Sequence, residues 1–343
     1  KFMKALPWLN QFKIRGTYGA TGKVNYPPYA ARDTYEVLFD DWYSTGVGAT
    51  LQGIGNEKLV WEKTNTTNIG FDLSFFQSKY SLTFSWYNRQ TVDMITDVTI
   101  PSSAGFTSYK DNMGETRNRG YEISLSATIL NTKDFGVNAF INFARNEGRL
   151  MKISESLKAY NERVKKMFEE SYAWDDPEKA LQSQPFLQYD EGCSLSAIWG
   201  VRSFGINPAD GQEVFLNREG RQTKSWSASD QVVLGTSEPT VQGIFGFNVV
   251  YKQFSLFANF MYEAGGQRYN QTLVDKVENV NVYTDNVDER VLTGRWKKAG
   301  DHAKYKALTS GRDGVESTKP TSRFVQDYNM LSWNSLELGY DMP

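Results

Sequence analysis

Few side chains in this sequence stand where an enzyme would need them. His302 is the only histidine and Cys193 is the only cysteine. They cannot supply a zinc site of the usual nitrogen and sulfur type. A Ser-His-Asp hydrolase would need His302 beside a positioned serine and carboxylate, and its neighbours in GDHAKY offer no such arrangement. The sequence therefore predicts neither a zinc centre nor a serine hydrolase.

Carboxylates are plentiful, but their spacing carries little information. Asp210 and the Asp285–Asp288 segment offer oxygen ligands, although neither matches an EF-hand and turn formation explains both more simply. Gly265-Gly266 lacks the fingerprint of a nucleotide site. The 40 acidic residues leave a glycosidase pair open, since sequence spacing does not reveal such a pair. We predict no cofactor, no metal and no catalytic residue.

The candidate functional residues are instead groups that bind. Tryptophan and tyrosine rings in loops stack on sugars, although such rings more often pack the loops themselves. Three polar residues fall near the loop-side ends of predicted strands, where they would face a lumen or lie at an interface. The predicted substrate-binding set is Trp42, Tyr43, Arg89, Asn142, Trp174, Trp199 and Glu263.

A β-hairpin over Asn68–Gln90 is the clearest element that would position such residues. Apolar residues alternate with polar ones in two consecutive runs, joined by a tight turn at Gln77–Lys79. Each run has about ten residues, enough for a tilted strand to cross a bilayer. The apolar face of this hairpin would point either into a soluble core or into lipid.

Two more hairpins repeat this pattern, with turns at Asn131–Asp134 and Lys252–Gln253. The connections between the hairpins are much longer than these turns. Short turns on one side and long loops on the other are typical of outer-membrane barrels, although a soluble β-sandwich with decorated loops stays open. The residues predicted to face lipid are Ile69, Phe71, Leu73, Phe75, Leu82, Phe84, Trp86, Ile123, Leu125, Val137, Ile141, Phe245, Phe247, Leu256 and Phe260.

The remaining segments are predicted from the spacing of apolar residues and from the positions of glycine and proline. We predict a strand at Leu9–Tyr18, and a final strand at Asn329–Tyr340 with a bulge near its start. The Gly19–Gly55 and Thr96–Gly114 segments read as loops. Helical spacing predicts short helices at Ser154–Glu170, with Ser154 as the N-cap, and near Gln271–Val280. Small hairpins are expected around Ile198–Arg221.

Bulk composition narrows the class of protein. The net charge of the 343 residues is −2, which does not favour nucleic-acid binding. A single cysteine excludes an intrachain disulfide. Aromatic residues make up 14%, and mean hydropathy is −0.53 with no run long and apolar enough for a spanning helix. We expect an all-β chain, and because it begins at Lys1 without a signal peptide we expect a piece of a longer protein.

Several segments, taken in order, resemble the SusC/RagA family of TonB-dependent outer-membrane transporters. They are YGATGKVNYPPY, NEKLVWEKTNTTNIGFDLSFF, NMGETRNRGYEISL, IWGVRSFGINPADGQEVF, EPTVQGIFGFN, YEAGGQRYN, RWKKAGD and PTSRFVQDYNMLSWNSLELGYDMP. Each segment is a weak signal, whereas the ordered set is specific and covers nearly the whole chain.

The resemblance implies a transmembrane antiparallel barrel of about 22 strands around a plug. Short turns would be periplasmic, and long extracellular loops would carry short helices. Residues 1–343 would form the later part of that barrel, without plug, TonB box or closing strands.

Such a protein would import a large nutrient, an oligosaccharide or peptide, through the bacterial outer membrane. Its partners would be a SusD-like lipoprotein lid, the TonB–ExbB–ExbD complex, and outer-membrane lipid and lipopolysaccharide. A soluble or surface-attached glycan-binding protein is the alternative, and a soluble glycan-active enzyme comes third.

Overall fold

The computed structural model describes residues 6–24, 26–44, 46–99, 108–169, 183–280, 286–308 and 318–342. Strands dominate these residues. None of the helices in this part of the chain is long and apolar enough to cross a membrane. The strands are β1 (Leu9–Lys23), β2 (Thr34–Tyr43), β3 (Gly46–Gly53), β4 (Glu62–Phe75), β5 (Tyr80–Thr99), β6 (Ser108–Asn131), β7 (Phe135–Ile153), β8 (Ala197–Gly200), β9 (Arg202–Ile206), β10 (Glu213–Leu216), β11 (Gln222–Thr223), β12 (Val232–Thr236), β13 (Val241–Tyr251), β14 (Phe254–Tyr269) and β15 (Val325–Tyr340).

One large sheet organises the described residues. Its eight strands lie in the order β1-β4-β5-β6-β7-β13-β14-β15, and every neighbouring pair is antiparallel. The three predicted hairpins are the pairs β4–β5, β6–β7 and β13–β14. The all-β prediction is therefore confirmed, and the tight turns all lie at one end of the sheet.

The register places apolar residues in continuous rows across the sheet. One row runs through Phe12, Leu73, Leu82, Leu125, Ile141, Phe245, Phe260 and Trp333, and each is the direct partner of the next. Because side chains alternate along a strand, these residues share one side of the sheet, which we call the apolar face. All fifteen residues that the sequence predicts to face lipid lie on it.

Aromatic rings mark both ends of the apolar face. Toward the tight turns, Tyr251, Phe254 and Tyr340 follow one another in register, and Phe254 lies 4.9 Å from Tyr340 between ring centroids. Toward the long connections, Trp86 lies opposite Tyr121. Most of these side chains are exposed in the described chain. The sheet thus presents an apolar band with an aromatic border at each end.

The opposite side of the sheet, the polar face, has hydrogen-bonding residues at most of the matching positions. One row runs through Lys13, Asp72, Thr83, Ser124, Asn142, Ile244, Met261 and Ser332. Phe140, which interrupts the predicted alternation, lies on this face and stacks on Phe257 at 6.4 Å. The two faces therefore have opposite chemistry.

The tight turns have the backbone that short hairpins require. Phe76, Gln77 and Ser78 have φ angles of 54°, 59° and 61°, and Lys252 has a φ of 52°. These are left-handed conformations, which cost non-glycine residues free energy. In the remaining turn, Thr132 closes the loop, since its Oγ1 donates to the carbonyl of Phe135 at 2.9 Å. All three predicted turns are confirmed.

Two loop predictions are wrong. Within the predicted Gly19–Gly55 loop, β1 continues to Lys23, and β2 pairs with β3 in a separate hairpin. Within the predicted Thr96–Gly114 loop, β5 continues to Thr99 and β6 starts at Ser108. The added parts of β1, β5 and β6 have no long two-residue hydrophobic period, and the alternation of Tyr35, Val37 and Phe39 in β2 is too short to stand out among the surrounding loop-forming residues.

The predicted bulge in the last strand is confirmed. The pairing of β14 with β15 shifts register between Asn259–Ser335 and Phe260–Trp333. One extra residue, Asn334, is accommodated there. This insertion explains why Leu331 and Trp333 share a face with Leu336 despite their opposite phase in the sequence.

The long connections build their own packed structure, which we call the loop layer and define as residues 154–169, 183–240, 270–280, 286–308 and 318–324. It contains helix α1 (Glu155–Glu169), the strands β8–β12 and a helical segment over Gln271–Leu273 and Val274–Glu278. Both predicted helices are confirmed. The Leu157 amide donates to Ser154 Oγ at 3.3 Å, so the predicted N-cap is also confirmed.

A buried charge cluster joins two parts of the loop layer. Arg323 donates to both carboxylate oxygens of Glu213, at 2.8 and 2.7 Å, and to Glu278 Oε1 at 2.7 Å. Although burial lowers the pKa of Arg323, the two carboxylates hold it above the ordinary value. Nearby, Arg295 donates to backbone carbonyls, including those of Val291 and Lys306. The cluster therefore fixes β10 against the segment that precedes β15.

Replacing Arg323 tests whether this cluster holds the loop layer together. Arg323→Ala leaves Glu213 and Glu278 buried without the arginine that pairs with both, and removing one partner of a buried pair costs about 3–5 kcal/mol. We expect faster hydrogen exchange in peptides of the loop layer and unchanged exchange in peptides of the eight-stranded sheet. Arg290→Ala is the control, because its ion pair with Asp288 is exposed. Equal protection of the loop layer in both variants would contradict this role.

Candidate functional site

The loop-side part of the polar face contains the candidate site. A cleft of about 950 Å³ opens there on strands β1, β4, β5, β6 and β7. Donors and acceptors of both charges line it: Arg15, Thr17, Asn68, Ser85, Tyr87, Arg89, Asn118, Glu122 and Asn146. Their positions follow from the sheet register, which brings alternate residues of neighbouring strands side by side. We call this group the polar-face site.

A chain of hydrogen bonds connects the site to the loop layer. The Tyr87 hydroxyl donates to Asn146 Oδ1 at 2.9 Å, and Asn146 Nδ2 donates to Glu238 Oε1 at 2.8 Å. The hydroxyl of Ser194 donates to the other Glu238 oxygen at 3.3 Å. Glu238 precedes β13, so it ties the connection after β12 to the wall of the sheet.

Gly120 makes room for the tyrosine in this chain. Gly120 lies directly opposite Tyr87, and a Cβ placed on it would come within 2.6 Å of the Tyr87 hydroxyl and 2.2 Å of the Arg145 carbonyl oxygen. Only glycine lets the ring lie across the strand at this point. The direction of the Tyr87 side chain is therefore set by a glycine on the neighbouring strand.

A second interaction orders the β1 side of the cleft. Arg15 donates to Asp72 Oδ1 at 3.0 Å and to Ser85 Oγ at 3.3 Å. Both side chains are partly exposed, and Arg15 lines the cleft. Part of the Arg15 side chain is thus available to a ligand, and Asp72 neutralises its charge.

Three residues of the predicted binding set lie on the polar face. Arg89 lines the cleft. Asn142 lies outside it, opposite Ser124, in the row of the polar face next to Ser85 and Glu122 on the side of the tight turns. Glu263 lies on β14, opposite Gln242 and Met330. Strands β6, β7 and β13 separate β5 from β14, so the structure does not bring Arg89 and Glu263 together. Their roles in binding stay predictions.

The aromatic members of the predicted set are placed differently. Trp199 lies in β8, opposite Val233, and only 6% of it is exposed. A stacking role for Trp199 would require its ring to become exposed. The side chains of Trp42 and Tyr43, and all of Trp174, lie outside the described residues.

Sequence reasoning missed most of the site. Tyr87 and Asn146 share the alternation phase of Arg89 and Asn142 on their own strands, and Asn118 and Glu122 share the phase of Ser124 on β6, so a signal was available. Glu238 had no such signal, because it reaches the site from a connection distant in sequence from its partner Asn146. Among the described residues, no group of three His, Cys, Asp or Glu could hold a metal ion. The arrangement suits hydrogen bonding to a polar ligand.

Comparison with a family model gives the first match to known proteins. Residues 5–186 match the model described as TonB dependent receptor-like, beta-barrel. TonB-dependent receptor P3 of Formosa agariphila is 24% identical over 363 residues, which covers 100% of this chain and 33% of that receptor. TonB-dependent receptor SusC of Bacteroides thetaiotaomicron is 31% identical over 163 residues, which covers 45% of this chain and 16% of SusC.

Solved structures agree in fold. The RagAB peptide transporter superposes with a TM-score of 0.77 and 22% identity, covering 100% of this chain and 36% of the matched chain. The RagAB peptide importer in its open-open state superposes with a TM-score of 0.75 and 23% identity, covering 100% of this chain and 35% of the matched chain. This chain thus spans about a third of the length of the relatives that it matches over its whole length.

These matches confirm the family resemblance, the outer-membrane location and the prediction that the chain is not an enzyme, because the matched family and relatives are TonB-dependent receptors. The family model covers more than half of the chain, and the matched region includes the strands β1–β7. The chain therefore belongs to the TonB-dependent receptor family, as a SusC- and RagA-like outer-membrane β-barrel sequence.

Proposed function

We propose that this protein imports a large polar nutrient, an oligosaccharide or a peptide, across the bacterial outer membrane. The observation that carries the proposal is the two-faced sheet, with a continuous apolar band on one side and the polar-face site on the other. In this proposal the apolar face contacts lipid and the polar face lines the passage. The tight turns are periplasmic and the loop layer is extracellular.

The composition of the apolar face supports contact with lipid. Backbone polar groups inside a bilayer must pair with each other, and an antiparallel sheet satisfies them between strands. Outward apolar residues bordered by aromatic rings match the band of an outer-membrane barrel. Rings such as Trp86 and Tyr251 at the ends of the band have an apolar body and a polar group that suits the interface.

The polar face supplies the groups that a large polar cargo needs. Arg89, Asn118 and Glu122 offer charged and neutral donors and acceptors within one cleft. Sugar hydroxyls and peptide groups both pair with such side chains. SusC and the RagAB peptide transporter are relatives by sequence or fold, and we extend a transport role from them to this chain.

Partners complete the proposal. A SusD-like surface lipoprotein would cover the loop layer as a lid, and TonB with ExbB and ExbD would supply energy from the inner membrane. The loop layer supports a lid contact because its buried charge cluster gives it a fixed shape. A rigid platform loses less conformational entropy when a partner binds than flexible loops do.

The lipid orientation is tested by paired arginine substitutions. Phe84→Arg puts a charge in the apolar band and should destabilise the inserted barrel by about 2–4 kcal/mol. The adjacent Thr83→Arg puts the same side chain on the polar face and should cost much less. Urea unfolding from lipid vesicles measures both. Equal losses, or a tolerated charge at position 84, would contradict the orientation.

The cargo surface is tested by substituting two arginines on adjacent strands. Arg89→Gln removes a charge from the polar-face site, and we expect uptake of the protein's cargo to fall about tenfold, the loss of one charge-assisted hydrogen bond. Arg119→Gln makes the same chemical change on the other side of the sheet, because Asn88 rather than Arg89 lies opposite Arg119. Uptake should be unchanged in that control. Growth on candidate oligosaccharides and peptides separates the two cargo classes.

Membrane partition distinguishes transport from the alternative of a soluble glycan-binding protein. The full-length protein should fractionate with detergent-extracted outer membranes and migrate faster before heating than after, as folded barrels do. A soluble monomer that binds glycan without membrane association would favour the alternative. A carboxylate-dependent turnover of glycan would favour an enzyme.

A further inference from the structure

Glu238 contacts the polar-face site from the loop layer without lining the cleft. One of its carboxylate oxygens accepts a hydrogen bond from Asn146, which does line the cleft. Asn146 in turn accepts from the hydroxyl of Tyr87, a second lining residue. Glu238, Asn146 and Tyr87 thus form a line of three hydrogen-bonded groups, which we call the relay. The relay begins in the loop layer and ends in the cleft.

The chemistry of the three groups fixes the direction of each bond in the relay. A carboxylate only accepts hydrogen bonds, so Asn146 must present its Nδ2 donor to Glu238. The amide oxygen of Asn146 then faces Tyr87, and the Tyr87 hydroxyl must donate its single proton to that oxygen. The distances fit this direction, at 2.8 Å from Asn146 Nδ2 to Glu238 Oε1 and 2.9 Å from Tyr87 Oη to Asn146 Oδ1. Glu238 therefore decides which way the Asn146 amide is turned.

Hydroxyl groups of the loop layer hold the Glu238 carboxylate in place. Ser194 donates to its second oxygen at 3.3 Å, and the backbone amide of Glu238 donates to Thr236 Oγ1 at 3.3 Å. Ser196 joins these two hydroxyls, since its Oγ lies 3.0 Å from Ser194 Oγ and 3.1 Å from Thr236 Oγ1. The loop layer itself therefore orients the carboxylate that begins the relay.

Gly148 provides space for the carboxylate. A Cβ placed on Gly148 would lie 3.6 Å and 3.7 Å from the two carboxylate oxygens of Glu238, and 2.9 Å from Asn118 Oδ1. A side chain at this position would therefore crowd the carboxylate. Together with Gly120, which makes room for the Tyr87 ring, Gly148 lets the relay cross from the loop layer to β5.

The direction of the relay sets what Tyr87 offers to a ligand. Because the hydroxyl proton is committed to Asn146, the Tyr87 oxygen has only lone pairs left for the cleft. Glu122 and Arg89 line the cleft in the rows on either side of Tyr87, and Glu122 accepts whereas Arg89 only donates. A ligand that fills this part of the cleft therefore needs a donor at Tyr87 and an acceptor at Arg89.

We propose that Glu238 is a positioning residue for cargo recognition, which acts through Asn146 to make Tyr87 a hydrogen-bond acceptor in the cleft. The cargo group at this point is one with a proton to donate, a free hydroxyl or an N–H. An ether or ester oxygen would face the Tyr87 lone pairs and bind more weakly. The role in cargo recognition rests on the proposed function, whereas the direction of the relay follows from the three side chains alone.

Raman spectroscopy of the purified full-length protein measures the state of the Tyr87 hydroxyl. The intensity ratio of the tyrosine Fermi doublet rises when the hydroxyl changes from donor to acceptor. Subtracting the spectrum of the same protein with Tyr87→Phe isolates the Tyr87 ratio. Glu238→Gln keeps the shape of the side chain and adds a donor, so the Asn146 amide is able to turn. We expect the Tyr87 ratio to rise in this variant from the low value of a donor.

Glu191→Gln is the matched control, because Glu191 also joins the loop layer to β7 but accepts from the Ile153 amide, at 3.3 Å, and not from Asn146. Its Tyr87 ratio should equal that of the parent protein. Asn146→Leu removes the acceptor outright and should change the ratio. A response in Asn146→Leu without one in Glu238→Gln would overturn the role of Glu238. An equal response in Glu191→Gln would also overturn it, by assigning the change to a loosened loop layer.

Two small amides test the polarity of the ligand. N-methylacetamide has an N–H donor, and N,N-dimethylacetamide has none although it carries the same carbonyl. At equal concentration, only N-methylacetamide should raise the Tyr87 ratio of the parent protein, because only it donates to the Tyr87 oxygen. An equal response to both amides, or to neither, would overturn the acceptor role of Tyr87. A parent protein that shows the relay signature but transports neither oligosaccharide nor peptide would instead contradict the proposed function.

Discussion

Antiparallel pairing in a defined register is the constraint on which the rest of this structure depends. Side chains alternate along each strand, so a slip of one residue would move an entire apolar set to the other face. The eight strands avoid such a slip through the core of the band, from Leu82 across Leu125 and Ile141 to Phe245. Register shifts concentrate near strand ends or, as at Asn334, restore the phase of apolar residues. A single continuous surface on each side results from this pairing.

Stability is divided between the sheet and the loop layer. The sheet relies on backbone pairing between neighbouring strands and exposes its apolar residues. The loop layer buries its own apolar groups, including Phe168, Val274 and Phe324, and fixes Arg323 between two carboxylates. These are different sources of stability: burial and charge pairing act in the loop layer, whereas in the proposed orientation the apolar face relies on lipid to remove its side chains from water. Glu238 joins the two parts through Asn146.

The same three strands, β5, β6 and β7, serve two surfaces. Arg89 and Asn118 face the cleft. Their neighbours in the chain, Asn88 and Arg119, face the other side of the sheet. Alternation makes this possible, since neighbouring residues of one strand face opposite sides of the sheet. The proposed cargo site and the face that is proposed to contact lipid can therefore lie back to back, separated only by the thickness of the backbone.

The sequence by itself determined the three hairpins, their turns, the phase of the apolar residues, the Ser154 cap and the bulge near the end of β15. These features arise from residues close together in the chain, where period and turn chemistry are visible. Only the tertiary structure decided that β2 and β3 pair, that Trp199 is buried, and that Glu238 reaches Asn146. It alone brought Glu213 and Glu278 to Arg323, and it alone aligned Arg117 with Arg149. Such contacts join residues far apart in sequence, and their energies depend on partners and burial that no local pattern encodes.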